Sequence, residues 1–240
     1  MPDDAGRQET RAADTATLDK VRERRRNVDR SAATRKQILD ATIGCLETVG
    51  YGAVTNILVA EAAGVSRGAM MHHFPTRQTL LVAAVEYAYG RLKAHRIETL
   101  SKLAPGLPRY RAVIDLAWAT ARMPEGVASN EIRIGSRSDP EIRKAVTPIM
   151  SQISDDYGRL VGRLAREAGL FVNDEVQGLT ATTAMAIRAL AVSTFTYPRP
   201  KMVENVLLTL KTVREDIIAR QLGEHAAERP SSTVAAATKP

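Results

Sequence analysis

Residues 55–74, TNILVAEAAGVSRGAMMHHF, contain two short helical segments separated by a turn that includes a glycine. Thr55 and Ser66 stand where a hydroxyl can cap the start of each helix, and Gly64 suits the left-handed backbone of the turn. The small and apolar residues recur at helical spacing on the side expected to face inward: Val59, Ala60, Ala63, Val65 and Met70. This pattern predicts a helix-turn-helix unit, although helical hairpins in protein cores also satisfy it.

The outward side of the second helix has a different composition. Arg67, Ala69, Met71 and His72 fall on the face that a helix-turn-helix unit presents to a DNA major groove about 12 Å wide. Arg67 is the best candidate for a bidentate contact to guanine, since such a contact discriminates between bases by about 1–3 kcal/mol. The segment therefore indicates sequence-specific DNA binding as its function.

The sequence on both sides of this unit is also helical in pattern. Apolar residues recur at steps of three and four, and Pro and Gly separate the segments, while no run of alternating β-branched residues occurs. The fold class predicted is therefore all-α. The predicted divisions are a disordered basic arm at 1–31, a helix-turn-helix domain at 32–92, a helical domain at 93–222 and a disordered tail at 223–240.

Composition and charge narrow the function further. The 240 residues carry a net charge of +7, which favours a polyanionic partner, and aromatic residues make up only 4%, which disfavours a base-stacking module. The single cysteine excludes a disulfide framework and a multi-cysteine metal site. The longest apolar run, Leu80–Val85, is far shorter than the roughly 20 residues that span a bilayer, and no secretory signal is recognised. We expect a cytoplasmic protein.

The segment from Ala62 to Ala69, AAGVSRGA, followed by HHFPTR at 72–77 and Leu80-Leu81, resembles the TetR/AcrR family of bacterial transcriptional regulators. The resemblance extends over about residues 32–92 and includes Arg35–Ala41 and Gly50-Tyr51. It implies an N-terminal three-helix DNA-binding domain and a C-terminal helical domain that binds a ligand and dimerises.

Carried over residue by residue, the resemblance implies a set of DNA contacts. They are Thr55, Ser66, Arg67, Gly68, Ala69, Met71, His72, His73 and Arg77. Two positions depart from the family pattern, because Ala69 stands where Thr is common and Met71 stands where Tyr is common. Each departure removes a hydroxyl, so we expect more apolar reading, such as contact with a thymine methyl group, at these places.

The region beyond residue 100 has no motif of its own, and the resemblance implies a ligand pocket and a dimer interface there. Large or polar residues among small ones suggest the pocket-lining candidates Trp118, Met123, Arg133, Tyr157 and Met185. The segment from Asp174 is apolar on two sides, which suits a helix that contacts both a core and a partner. The interface candidates are Met185, Ala189, Val192, Phe195, Val203, Val206, Leu207, Leu210, Val213 and Ile217.

Together these features predict a homodimeric DNA-binding regulator, most simply a repressor released from double-stranded operator DNA by a small-molecule effector. Two other classes stay open: an architectural DNA binder that uses its basic arm without reading sequence, and an all-α enzyme with a C-terminal pocket. No acid, base and nucleophile occur at useful spacing, so we expect no enzymatic activity, no cofactor and no metal site.

Overall fold

The computed structural model describes residues 4–196 and 199–228, and in these ranges it contains helices and one 3₁₀ turn but no strand. This confirms the all-α prediction. No helix in the described ranges is both long and apolar enough to cross a membrane. The helices are α1 (Asp4–Ala53), α2 (Asn56–Ala63), α3 (Arg67–His73), α4 (Arg77–Ser101), α5 (Leu107–Ala121), α6 (Pro124–Gly135), α7 (Pro140–Glu167), α8 (Asp174–Thr196) and α9 (Pro200–Glu228).

The two ends of the chain differ from the prediction of disorder. Residues 4–31 continue α1, and residues 223–228 continue α9, while 1–3 and 229–240 lie outside the described residues. Residues 4–31 include seven Arg and four Ala, which are strong helix formers even without an apolar face. Extending an existing helix also costs less free energy than nucleating a new one. The amphipathic part of α1 can therefore be extended through these residues.

The chain divides into two compact units whose boundary falls between Ala84 and Val85, inside α4. In the N-terminal unit, α1 packs against α2 and α3 around a closed apolar core. The core side chains come from α1, α2, α3 and the start of α4 and from the connections between these helices: Ile38, Leu39, Leu46, Val54, Val59, Met70, Phe74, Leu80 and Leu81. The boundary predicted at residue 92 lies eight residues farther along the same helix.

The turn between α2 and α3 is closed by two backbone hydrogen bonds. Gly64 has φ 63° and ψ 31°, in the left-handed region. Its amide donates to the carbonyl of Glu61 at 3.1 Å, and the amide of Val65 donates to the carbonyl of Ala60 at 3.0 Å. These bonds form a Schellman motif, which satisfies the last carbonyls of α2 and lets α3 begin three residues later.

In the C-terminal unit, α5 packs against α7, α8 and α9. The core consists of residues from these helices and from the end of α4, namely Leu100, Tyr110, Val113, Leu116, Val161, Leu164, Ala165, Val176, Ile217 and Ile218. Because α5 packs against three helices, its buried apolar residues occupy most of its circumference.

At Gly126 the start of α6 lies close against the backbone at the end of α5. A Cβ atom built on Gly126 would lie 2.2 Å from the carbonyl oxygen of Thr120 and 2.7 Å from that of Ala121. Beside it, the buried carboxylate of Glu125 forms an ion pair with Arg91 at 2.8 Å. The start of α6 therefore lies against the end of α5 because Gly126 has no side chain, and the ion pair of the neighbouring Glu125 links the same turn to α4.

Substitution of Gly126 by Ala should lower the melting temperature, because the new methyl group meets rigid backbone atoms. We expect a loss of about 1–3 kcal/mol, the usual range for overpacking. Gly90→Ala is the matched control: Gly90 is an exposed position inside α4 with open space around a Cβ, so alanine there should stabilise by about 0.5–1 kcal/mol. Equal melting temperatures for the two variants in thermal denaturation would contradict the close approach.

Candidate functional site

Helix α3 presents most of its predicted DNA contacts to solvent. Arg67, Gly68, Met71 and His72 are exposed and Ala69 is half-buried, while Met70 points into the core with 1% exposure. Met71 is 45% exposed, which is high for a large apolar side chain. The burial of one face of this short helix therefore fixes which side chains its other face displays.

The starts of α2 and α3 are capped by the hydroxyls that the sequence indicated. Thr55 Oγ1 accepts a hydrogen bond from the amide of Leu58 at 3.2 Å, and Ser66 Oγ accepts one from the amide of Ala69 at 3.1 Å. Both residues are exposed. Because each hydroxyl acts as an acceptor in its cap, its own hydrogen remains able to donate, for example to a phosphate oxygen.

The two adjacent histidines occupy different environments. His72 is exposed, whereas His73 is half-buried and its ring lies 6.4 Å from the ring of Phe74. Burial lowers the pKa of His73, and the charges of His72 and Arg35 lower it further. His73 is therefore neutral at pH 7 and contributes mainly to packing, so it is a weak candidate for a charge-assisted contact to DNA.

Arg77 holds the N-terminal unit together through its guanidinium group. Its Nε donates to the carbonyl of Val54 at 2.8 Å, and its Nη2 donates to the carbonyl of Tyr51 at 2.6 Å. The guanidinium carbon also lies 4.2 Å from the centre of the Tyr51 ring. The family resemblance implied a DNA contact at this position, but it did not reveal that the side chain links the start of α4 to the end of α1 and to the residue that follows it.

The C-terminal unit contains an open cavity of about 810 Å³ between α4, α5, α6, α7 and α8. Two of the predicted pocket residues, Arg133 and Tyr157, line it. Trp118 and Met123 do not line it, because α5 turns Ala117, Thr120 and Ala121 towards the cavity instead. The half-buried Trp118 lies under Arg122, whose guanidinium carbon is 5.4 Å from its ring centre.

Two further arginines line this cavity that sequence reasoning missed, Arg96 on α4 and Arg188 on α8. Burial lowers the pKa of Arg96, Arg133 and Arg188 alike, and the charge of Arg188 lowers that of Arg133 further. Burial also raises the pKa of Tyr157 to about 12. Arg188 stands within an apolar segment of the sequence, and this local contrast is the signal that could have found it.

The remaining predicted pocket residue, Met185, is 63% exposed on α8 and belongs to an apolar surface instead. Val192 and Phe195 on the same helix are 38% and 65% exposed. Ala189, which lies between Met185 and Val192, is exposed as well. These residues follow each other at steps of three and four, so they share one side of α8.

Helix α9 requires a correction to the predicted interface. Val203, Leu210 and Ile217 are buried in the core of their own chain and offer no surface to a partner. They recur every seven residues, so they share the inward side of the helix. The outward candidates that remain are Val213, which is exposed, and Val206 and Leu207, which are half-buried.

Arg77→Ala should lower the free energy of unfolding by about 1.5–3 kcal/mol, because the carbonyls of Tyr51 and Val54 lose a charged donor. Arg67→Ala is the matched control, since Arg67 is exposed and its loss should change stability by no more than about 0.5 kcal/mol. Urea denaturation followed by circular dichroism measures both. Similar stabilities for the two variants would show that Arg77 does not hold the fold.

Comparisons with known proteins agree with this arrangement. Residues 38–84 match the family described as bacterial regulatory proteins, tetR family. The chain is 31% identical over 123 residues to the HTH-type transcriptional regulator CymR of Pseudomonas putida, which covers 51% of this chain and 61% of CymR. It is 39% identical over 77 residues to the HTH-type transcriptional repressor KstR of Mycolicibacterium smegmatis, or 32% of this chain and 37% of KstR.

Solved structures share the fold over a longer range. A TetR-family transcriptional regulator from Rhodococcus sp. aligns with a TM-score of 0.61 at 20% identity, covering 77% of this chain and 98% of that one. A transcriptional regulator from Saccharomonospora viridis, solved in complex with choline, aligns with a TM-score of 0.61 at 19% identity, covering 77% of this chain and 96% of that one. The sequence matches to the curated relatives CymR and KstR span less than two thirds of their lengths. The N-terminal unit therefore contains the segment that matches the tetR family of bacterial regulatory proteins, and the chain shares the fold of the solved regulators.

Proposed function

We propose that the chain is a homodimeric transcriptional regulator that binds operator DNA through α3 and is released from it by a small molecule. The observation that carries the proposal is the outward face of α3, where Arg67, Gly68, Met71 and His72 are exposed beside the capped helix starts. In the described part of the chain, no hydrogen bond or ion pair engages Arg67, so its guanidinium group is available to a base edge.

Contacts to phosphates and contacts to bases fall on different residues in this proposal. Thr55 and Ser66 donate their hydroxyl hydrogens to phosphate oxygens, which orients the unit without reading sequence. Arg67 reads a guanine, and Ala69 and Met71 contact thymine methyl groups. Gly68 lets the backbone approach the DNA. In a two-fold dimer the two α3 helices would read half-sites about 34–36 Å apart.

Arg67→Ala should reduce affinity for a specific duplex by about 5- to 150-fold, which corresponds to the 1–3 kcal/mol of one base contact. The measurement is fluorescence anisotropy at physiological salt, with a duplex enriched from genomic DNA by the wild-type protein and a scrambled duplex of equal length. The wild type should prefer the enriched duplex by about 10³ or more. Lys144→Ala, an exposed residue of α7, removes the same charge and should leave the preference intact.

Equal and strongly salt-dependent binding of both duplexes would contradict sequence reading by α3. It would favour the architectural alternative, in which the basic residues of the N-terminal arm supply the affinity. The side chains of that arm before residue 28 lie outside the described residues.

The dimer in this proposal forms through the apolar surface of α8, with Val206, Leu207 and Val213 of α9 as further candidates. Met185, Val192 and Phe195 are large apolar side chains exposed in succession on one helix, and such a patch is typical of an interface. A second copy of the chain covers it in a two-fold arrangement, in which the same surface meets itself.

Phe195→Glu should shift the protein from dimer to monomer, because it places two carboxylates in an apolar interface. The measurement is sedimentation velocity over a range of concentrations. Phe171→Glu is the matched control: Phe171 is 62% exposed against 65% for Phe195, but it lies before α8, away from this surface. If both variants sediment as the wild type does, α8 is not the interface.

A further inference from the structure

We propose that the cavity of the C-terminal unit binds a small amphipathic carboxylate, whose anionic head is held by Arg133, Arg188 and Tyr157. The inference deepens the proposed function, since it rests on that function in treating the bound anion as the effector. Its chemical basis is a set of cationic and hydroxyl donors to which the described residues offer no oxygen acceptor.

The charge of the cavity lining is one-sided. Arg96, Arg133 and Arg188 line it, and no aspartate or glutamate is among its lining residues. In the described part of the chain, neither Arg133 nor Arg188 has a carboxylate within 4.0 Å. Partly buried arginines without a counter-charge are costly, because desolvation is not offset by an ion pair. An anion that enters the cavity supplies the missing charge.

Other enclosed charges in the same unit do have partners. The buried Arg214 forms an ion pair with Glu215 at 2.9 Å and donates to the carbonyl of Arg111. The buried Glu125, next to a residue of the cavity lining, is paired with Arg91 at 2.8 Å. Arg214 and Glu125, which do not line the cavity, are therefore neutralised by partners within the chain. Arg133 and Arg188, which line it, have no counter-ion among the described residues.

Two polar atoms of the lining are buried without any hydrogen-bond partner, Nε of Arg133 and the hydroxyl of Tyr157. Among the residues that the structure describes, the one hydrogen-bond acceptor of the Arg133 guanidinium group is the thioether of Met150, 3.0 Å from Nη2, and thioether sulfur is a weak acceptor. Buried polar groups are hydrogen-bonded in nearly all proteins, so two unsatisfied donors on residues that line a cavity indicate a missing acceptor. A carboxylate provides two acceptor oxygens, which can engage a guanidinium fork and a phenol together.

The donors are in the right protonation state for this role. Burial raises the pKa of Tyr157 to about 12, against the opposing charges of Arg96 and Arg188, so its phenol keeps its hydrogen at neutral pH. The hydroxyls of Thr120 and Ser129, which also line the cavity, donate to the carbonyls of Leu116 and Glu125 in their own helices. They therefore do not compete with Tyr157 as donors.

The rest of the lining, apart from Arg96, Asn130 and Ser154, is apolar and predicts the body of the ligand. Leu92, Ile153 and Ile187 surround the polar residues together with small side chains such as Ala117, Ala121 and Ala184. These residues provide no hydrogen bonds from their side chains, so the part of the ligand away from the carboxylate is apolar.

The test is isothermal titration calorimetry of the 240-residue chain at pH 7 without DNA. The probes are benzoate, 4-butylbenzoate and octanoate, each with its primary amide, and octylamine as the cation with the octyl body. At least one carboxylate should bind at least about tenfold more tightly than its amide, and octylamine should not bind. Failure of all three carboxylates, or equal binding of acid and amide, would overturn the proposal.

Arg133→Met keeps much of the side-chain volume but removes the charge, and it should weaken carboxylate binding at least about tenfold. The ligand-free variant should melt at a higher temperature than the wild type, because a desolvated cation without a counter-ion is gone. A lower melting temperature with unchanged carboxylate binding would show a structural arginine and overturn the assignment. Arg143→Met, at an exposed position of α7, is the matched control and should bind as the wild type does.

Tyr157→Phe provides a second variant that preserves packing, with a loss of affinity of about threefold to tenfold expected. Unchanged affinity would show that the phenol of Tyr157 does not bind the carboxylate. The carboxylate that binds is finally added to the complex of protein and operator duplex. Binding of the anion without operator release contradicts the proposed regulation but leaves the anion site standing. Operator binding without any carboxylate binding contradicts the anion site alone.

Discussion

The left-handed backbone of Gly64 is the constraint on which the N-terminal unit depends. It closes α2 through two backbone hydrogen bonds and allows Ser66 to cap α3 at once. With so short a connection, the two helices have little freedom, and burying Met70 orients the whole of α3. An L-residue with a Cβ pays a steric penalty in this conformation, so the exposed face with Arg67 depends on a residue that has no side chain.

The arginines of this chain separate into two groups by what they contact. Arg77 and Arg214 have acceptors within the chain and hold segments together. Arg67 faces solvent, and Arg133 and Arg188 line a cavity without counter-ions. A guanidinium group always carries its charge. An arginine whose charge is not neutralised within the chain is therefore a place where binding of an external anion is favourable. We propose the edge of a guanine base as the partner of Arg67 and a carboxylate as the partner of Arg133 and Arg188.

The apolar surfaces follow the same division between internal and external partners. On α9 the heptad Val203, Leu210 and Ile217 completes the core of its own chain. On α8 the residues Met185, Val192 and Phe195 stay exposed in a row. Both helices have apolar residues on more than one side, and the amino-acid pattern alone does not distinguish a side that meets the core from a side that meets a partner. Only the packing of α5 against both helices makes that assignment.

The sequence by itself determined the helical class, the capped helix-turn-helix segment, its core residues and the exposure of Arg67, because these follow from local spacing, caps and a turn glycine. It also singled out Arg133 and Tyr157. It did not predict that Arg77 ties the fold, that Arg96 and Arg188 join Arg133, or that Trp118 and Met123 stay outside the cavity. Those facts depend on contacts between residues far apart in the chain, and helical periodicity specifies a side of a helix but not what packs against it.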